Sequence, residues 1–257
     1  MSAQLRAKVL ATPDQLGIES DLSSAVTVLK DAEVHSEIIA TIVIPAYNEE
    51  KGLRVVLERL FRAVDGQCEV LVVDDGSHDT TSNVARGFRC GVIRHERNRG
   101  KGEAMKTGIR HARGDYVIFI DADGTYPTEV IPQMAEALAF SDVVYCSRAR
   151  GRDNIPRLNR LGNAFFQNVL KYVYGFEACD YSTGLYGIRK RHLQKMRIDS
   201  RGFAIEPEIA IKASRMKLKM HDIPIQYQPR IGKPKLCSFS AGFEHLKTVF
   251  RLLLWRP

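Results

Sequence analysis

Two carboxylates one residue apart, Asp121 and Asp123, follow the apolar run Tyr116-Val117-Ile118-Phe119-Ile120. Hard oxygen ligands at that spacing suit Mg²⁺ or Mn²⁺, with phosphate oxygens of a substrate completing the shell. The same residues also suit a solvated turn after a strand. A second acidic cluster, Asp74-Asp75-Gly76-Ser77, closes the run Val70-Leu71-Val72-Val73. Its carboxylates can accept hydrogen bonds from a ribose or a nucleobase, or serve the turn alone. Gly100-Lys101-Gly102 opens a helical pattern, with Arg97 and Arg99 just before it. The free N–H groups of a helix start and a lysine suit an anion, although neither GxxxxGK[ST] nor GxGxxG is present. A flexible basic turn is the alternative.

Such clusters act together only if a scaffold ends their strands on one edge. Ile38 to Pro45 is a nearly continuous apolar run, as in a strand buried on both faces, and Glu49 to Val64 carries apolar residues at 53, 56, 57, 60, 61 and 64, which is helical spacing. Further strands are predicted at 70–73, 92–93, 116–120 and 143–146, alternating with helices from Thr80, over 102–112 and over 128–139. Repeated β-α-β units predict an α/β fold, a mostly parallel sheet flanked by helices, with its ligand at the carboxyl ends of the strands. Beyond Ser147 the pattern loosens into an Arg/Asn/Gly-rich loop, a helix near 158–173, short elements near 181–189, 206–213 and 220–227, and a terminal segment, 241–254. That last segment sets Phe243, Leu246, Phe250 and Leu253 on one stripe, an amphipathic helix that either packs on the domain or lies at an interface.

Composition bounds the function. The chain has 257 residues, 44% hydrophobic and 26% charged, a globular profile that excludes disorder as the main state. Its apolar runs fall far short of the ~18 residues of a spanning helix. No secretory leader is visible at the start, and five scattered cysteines lack any CxxC, so a reduced, cytosolic protein is expected. Charge is uneven: 3 Lys/Arg against 6 Asp/Glu over 1–39, 13 against 16 over 40–147, and 22 against 8 over 148–257. A basic half implies an anionic partner or a solvated basic face. No nucleic-acid-binding module is recognisable, and no nucleic-acid partner is expected.

Pro45-Ala46-Tyr47-Asn48-Glu49, the Asp-Asp-Gly-Ser turn, Gly100-Lys101-Gly102 and Asp121-Ala122-Asp123 occur in this order, each at a strand end or helix start. The set resembles the family 2 glycosyltransferases of GT-A fold, in particular the polyprenyl-phosphate glycosyltransferases related to dolichol-phosphate mannose synthase. The resemblance spans roughly residues 38–255. It implies a single domain over 38–257, with a nucleotide-sugar half (38–147), a basic acceptor half (148–257) and an N-terminal extension of unassigned role (1–37). It also implies that Pro45, Tyr47, Glu49 and Asp75 hold the nucleotide, that Lys101 attends the donor, and that Asp121 and Asp123 bind the metal on the donor diphosphate. Thr125 stands where such mannose synthases often carry Gln or Ser, which leaves a third metal ligand and the sugar open.

In the basic half, Cys146-Ser147-Arg148 and Pro156 to Asn163 are similar to the family's Arg-bearing segments, which implies that Arg148, Arg157 and Arg160 hold an acceptor phosphate. Arginine's fixed fork of donors matches phosphate oxygens. Phe203 to Glu208 is similar to the family's FEPE entry, whose acids face the sugar or brace the loop. Arg230, Lys233 and Lys235 lie in a segment similar to RxGxSKL and are expected over the diphosphate. The implied reaction is inverting, Mg²⁺- or Mn²⁺-dependent transfer of a hexose from a UDP- or GDP-sugar to a polyprenyl phosphate. Asp123, Arg148 and Asp180 are the expected catalytic groups, with Asp180 a base or a sugar contact. A soluble hydroxyl acceptor is the alternative, and it would require a carboxylate to take a proton. The expected location is cytoplasmic, with a peripheral position at the cytoplasmic face of the membrane left open by the terminal helix.

Overall fold

A computed structural model describes residues 38–64, 66–233 and 238–257. The 1–37 extension and Lys235 lie outside the described residues. Apolar residues alternate faces along every central strand, because side chains in a strand point to opposite sides with period two. On β1 (Ala40–Ala46), Val43 faces one layer while Ile42 and Ile44 face the other; on β2 (Cys68–Asp74), Leu71 and Val73 oppose Val70 and Val72. The same division holds on β4 (Tyr116–Phe119) and β5 (Val143–Arg150). A sheet apolar on both faces must be covered on both. One face meets α1 (Glu50–Ala63), α2 (Thr81–Arg86) and α4 (Ile131–Phe140); the other meets α3 (Lys101–His111), α5 (Arg157–Tyr174) and α7 (Ile205–Arg215).

Completed by β3 (Gly91–Arg94), β6 (Tyr186–Arg189) and β7 (Met220–Gln226), the seven-stranded sheet has the order β3-β2-β1-β4-β6-β5-β7. β1 pairs in parallel with β2 and β4, and β3 with β2; β6 alone runs antiparallel, between β4 and β5, and β7 pairs in parallel with β5. The carboxyl ends of β1, β2, β4 and β5 therefore open on one edge, where the loops of an α/β sheet gather a ligand. A short helix α6 (Lys190–Met196) follows β6, and α8 (Ser238–Arg251) packs Val249, with Leu252 just beyond it, into the α5/α7 layer.

One buried ion pair fixes the α7 side. Glu208 and Lys212 are almost fully buried one turn apart, with Lys212 Nζ donating to Glu208 Oε1 at 2.6 Å. The backbone N–H groups of Asp199 (3.1 Å) and Ser200 (2.7 Å) also donate to Glu208, and Arg251 of α8 lies 3.1 Å away. Burial pushes this carboxyl up, but Lys212 and the loop donors outweigh it and hold it below its ordinary value. The charged form therefore adds stability above that ordinary value, and this is lost as pH falls through the folded one.

Glu208→Gln is expected to lower the unfolding free energy by about 3 kcal/mol at neutral pH, because it leaves a buried cation unpaired. Urea denaturation measures this. The gap between wild type and variant should narrow below about pH 4; a gap that persists unchanged there would contradict the pairing.

Candidate active site

The edge begins with turns that their own side chains tie down. Asn48, after β1, holds a left-handed conformation (φ 50°), and its N–H donates to Ser77 Oγ (2.8 Å) while its Oδ1 accepts from His78 N (2.7 Å). Pro45 stands opposite Val73 within the ladder, and the Tyr47 ring meets His78 edge-on at 6.4 Å. Asp74 is spent on the turn, accepting from Ser77 N (2.9 Å) and Ser82 Oγ. Asp75 accepts from Arg99 N (3.0 Å) and Gly100 N (2.8 Å), and His95 Nδ1 lies 2.6 Å from it. Asp75 thus fastens the β2 end to the start of α3.

Gly100 and Gly102 let that start sit on the loop before α7. A Cβ at either would stand 2.6 Å from the carbonyl oxygen of Arg201 or Ser200 respectively. Lys101 is thereby aimed along the edge, its Nζ 2.7 Å from Asp121 Oδ1 and 2.6 Å from Glu206 Oε1. Burial works against its charge, yet Asp121 and Glu206 outweigh it and hold the ammonium well above its ordinary value.

Asp121 and Asp123 sit in the turn after β4. Thr125 donates to Asp123 Oδ1 through its hydroxyl (2.6 Å) and its N–H (3.1 Å), and Arg230 bridges Asp123 and Glu49. The segment carrying Arg230 lies along this turn, with Gln228 N donating to Thr125 O (2.9 Å) and Ile231 N to Asp123 O (3.0 Å). Burial and the adjacent Asp121 charge push the Asp123 carboxyl up. Two glycines make room: a Cβ at Gly52 would stand 2.5 Å from Ala122 O, and one at Gly184 would stand 2.0 Å from Asp121 Oδ2. Lys233 is exposed, and its carbonyl accepts from Arg230 Nε (3.2 Å).

A third cation–acid contact closes the β5 end. Arg148 donates to both oxygens of Asp180 at 2.6 and 2.7 Å and to Ser182 Oγ at 2.6 Å, with its guanidinium 5.5 Å from the Tyr227 ring centre. Burial opposes the Asp180 charge, but Arg148 holds its carboxyl below the ordinary carboxylate value. Beside this pair opens a cleft of about 670 Å³ whose walls include Arg148, Arg152, Arg157, Arg160 and Leu161. Arg160 donates to Asp153 (2.7 Å), while Arg157 is exposed at the first residue of α5.

Of the sequence-derived residues, Asp121, Asp123, Lys101, Glu49 and Arg230 meet at one turn and Arg148, Arg157, Arg160 and Asp180 at the arginine cleft, whereas Pro45, Tyr47 and Asp75 stay with the turns after β1 and β2 and Lys233 is exposed. The sequence left Glu206 and Glu208 undivided between facing the site and bracing the loop; Glu206 meets Lys101, and Glu208 braces residues 199–200. Gly184 carried no chemical signal in the sequence, since its role is a close approach.

A family model described as glycosyl transferase family 2 matches residues 41–197. The chain is a family 2 glycosyltransferase. Its sheet and helices form the GT-A fold: glucosyl-3-phosphoglycerate synthase from Mycobacterium tuberculosis, solved with Mn²⁺, UDP and glucosyl-3-phosphoglycerate, superposes with a TM-score of 0.67 at 22% identity, over 85% of this chain and 81% of that one. Among curated relatives, this glycosyltransferase is 31% identical to dolichyl-phosphate hexose transferase of Haloferax volcanii, over 83% of its own length and 93% of the relative's. It is 30% identical to dolichol-phosphate mannosyltransferase of Pyrococcus furiosus, covering 84% of itself and 64% of that chain. Among the described residues, no helix of this family 2 enzyme is long and apolar enough to cross a membrane.

The contact at Gly184 yields a test. Gly184→Ala should leave the far-UV circular dichroism unchanged while lowering kcat about 100-fold, since a displacement of ~1 Å at a catalytic constellation has that effect. Near-wild-type turnover would show that the Asp121 position is not critical.

Proposed function

We propose that the enzyme transfers a hexose from a UDP- or GDP-sugar to a polyprenyl phosphate drawn from the cytoplasmic face of a membrane, with inversion at the sugar carbon. The observation that carries this reading is the pairing of Asp180. Both of its oxygens are engaged by Arg148, and that pairing keeps the carboxylate charged and occupied. Glu206, another acid at this edge, is bound to Lys101. A hydroxyl acceptor needs a group to take its proton. A phosphate monoester does not, because its second pKa of ~6 leaves it largely ionised at neutral pH. Asp180 then acts as the positioning residue that aims Arg148, and Arg148, Arg157 and Arg160 line the cleft that receives the acceptor phosphate. Relatives with dolichyl-phosphate names support the same acceptor class.

The donor side is read from the carboxylate turn. Four carboxylates (Asp121, Asp123, Glu49 and Glu206) and two cations (Lys101 and Arg230) meet there, and 2 − 4 leaves a formal charge of −2. That deficit and the hard oxygens of Asp121 and Asp123 fit one Mg²⁺ or Mn²⁺. No cluster of three or more His, Cys, Asp or Glu suited to a metal occurs among the described residues. Mg²⁺ sites commonly pair one or two carboxylates with substrate phosphates in this way. Asp121 and Asp123 would hold the ion, which supplies charge neutralisation at the leaving diphosphate. Thr125 orients Asp123, Lys101 orients Asp121, and Arg230 with Lys233 and Lys235 screens the diphosphate from water and adds positive charge. Pro45, Tyr47, Glu49 and Asp75 frame the nucleotide. Residues 38–147 would then serve mainly the donor and 148–257 the acceptor.

A panel of UDP- and GDP-sugars with Mn²⁺ or Mg²⁺ and a short polyprenyl phosphate tests this directly. One donor should give a lipid-linked sugar, and Asp123→Ala should lower its formation by at least ~10³-fold, the scale of losing a transition-state electrostatic contact. Donor hydrolysis with no lipid product from any donor would overturn the acceptor assignment.

A further inference from the structure

Tyr227, the residue after β7, touches both groups of the site. Its N–H donates to Arg150 O (2.9 Å) at the end of β5, and its carbonyl accepts from Asn154 Nδ2 (3.0 Å) in the loop that leads to α5. The approach is close enough to require glycine at 151 (φ 74°), where a Cβ would stand 2.0 Å from the Tyr227 carbonyl oxygen. The next residue is tied the other way. Gln228 N donates to Thr125 O (2.9 Å) in the carboxylate turn, and Gln228 Oε1 accepts from Arg59 Nη1 of α1 (2.9 Å). Residues 227–228 thus carry the chain from the side of Arg148 to the side of Asp123.

The side chain makes the same link with two different parts. The Arg148 guanidinium lies over the Tyr227 ring, 5.5 Å from its centre, within reach of a cation–π contact. Asp180 and Ser182 take Arg148 side-on, through Nε and Nη2. Held by one edge only, the planar fork could tilt; a ring against its face fixes the plane in which Nη1 meets an incoming phosphate. At the far end, the Tyr227 hydroxyl meets the Thr125 hydroxyl, and burial with the Asp123 charge pushes it up, so that it stays protonated. Thr125 spends its one hydroxyl proton on Asp123 Oδ1 (2.6 Å), so in their contact Tyr227 donates and Thr125 accepts. Tyr126 braces the Tyr227 ring edge-on at 5.3 Å, and its own hydroxyl accepts from Gly184 N (2.6 Å).

We infer that Tyr227 is a positioning residue for both ends of the transfer: its ring sets the plane of Arg148 at the acceptor cleft, and its hydroxyl, through Thr125, sets Asp123 at the donor metal. This rests on the donor and acceptor reading above and adds that one side chain holds the two ends in register. The two duties belong to different atoms, so they can be separated. The test uses the full chain and reads binding without turnover, by calorimetric titration. Geranyl phosphate alone reports on the arginine cleft, and Mn²⁺ with saturating UDP, and separately with GDP, reports on the carboxylate turn. Tyr227→Phe keeps the ring, so the Kd for geranyl phosphate should stay within about twofold while the Kd for Mn²⁺ rises about fivefold, the scale of one neutral hydrogen bond. Tyr227→Leu loses ring and hydroxyl together and should also raise the Kd for geranyl phosphate about fivefold. Thr125→Val should weaken Mn²⁺ at least as much as Tyr227→Phe does, and adding Tyr227→Phe to it should cost nothing further, because the two hydroxyls act in series.

A general loosening of the site would weaken both ligands together in Tyr227→Phe, and that result would overturn the inference. So would a Tyr227→Phe protein that binds Mn²⁺ as wild type does, a Tyr227→Leu protein with unchanged affinity for geranyl phosphate, or an additive double variant. Failure of the underlying reading looks different, because it shows in the unmodified protein. A wild type that binds no geranyl phosphate, or no Mn²⁺ with either nucleotide, would remove the reading of that end and the proposed register with it.

Discussion

Compensation of negative charge at the turn of Asp121 and Asp123 is the constraint on which the rest of the edge depends. Two carboxylates one residue apart, one of them buried, repel each other and lose solvation. Each is therefore met by a cation of the chain, Lys101 at Asp121 and Arg230 at Asp123. Each cation is held in turn by a further acid, Glu206 or Glu49. These acid–cation–acid chains explain why loops from such distant parts of the sequence converge. The turn before α3 must sit close enough to aim Lys101, which demands glycine at 100 and 102, and the segment after β7 must lie along the carboxylate turn, which its backbone hydrogen bonds achieve. The deficit of charge that remains is what supports the proposal of a cation at this turn.

The cations and acids are anchored by a second tier that never reaches the cleft. Glu208 pins the loop of residues 199–200 from below, and that loop is the floor on which Gly100 and Gly102 rest. Arg251 and His245 of α8 reach the same loop, through Ser200 Oγ at 3.3 Å and the Phe203 carbonyl at 3.0 Å. The terminal helix therefore faces two ways. Its inner side supports the floor of the site, and its outer side carries the apolar stripe.

Much of the fold was legible because its signals are local. Near-continuous apolar runs, helical spacing and strand-ending acids gave five strands and four helices of the first half in the right order, with ends within a few residues of those observed. What sequence could not carry was pairing across the chain. The antiparallel direction of β6 is set by partners in β4 and β5, and α6 has too few turns to show a period. At the site, the acidic clusters and the Arg-rich segments announced themselves by residue type. The bridge from Arg230 to Asp123 and Glu49 spans 107 and 181 residues, so spacing gave no hint of it. Asp180 shows the same limit: its type suggested a base or a sugar contact, and only its two bonds to Arg148 reveal that both oxygens are occupied.

The central claim is that this site positions an acceptor that arrives already ionised. The most direct measurement compares a short polyprenyl phosphate with the matching polyprenol as acceptor, each across a pH series with the same donor and metal. The account predicts product from the phosphate alone, with a rate that rises as the acceptor loses its second proton near pH ~6 and then levels. Turnover of the alcohol, with an ionisation limb that disappears in Asp180→Asn, would contradict it and make Asp180 a general base.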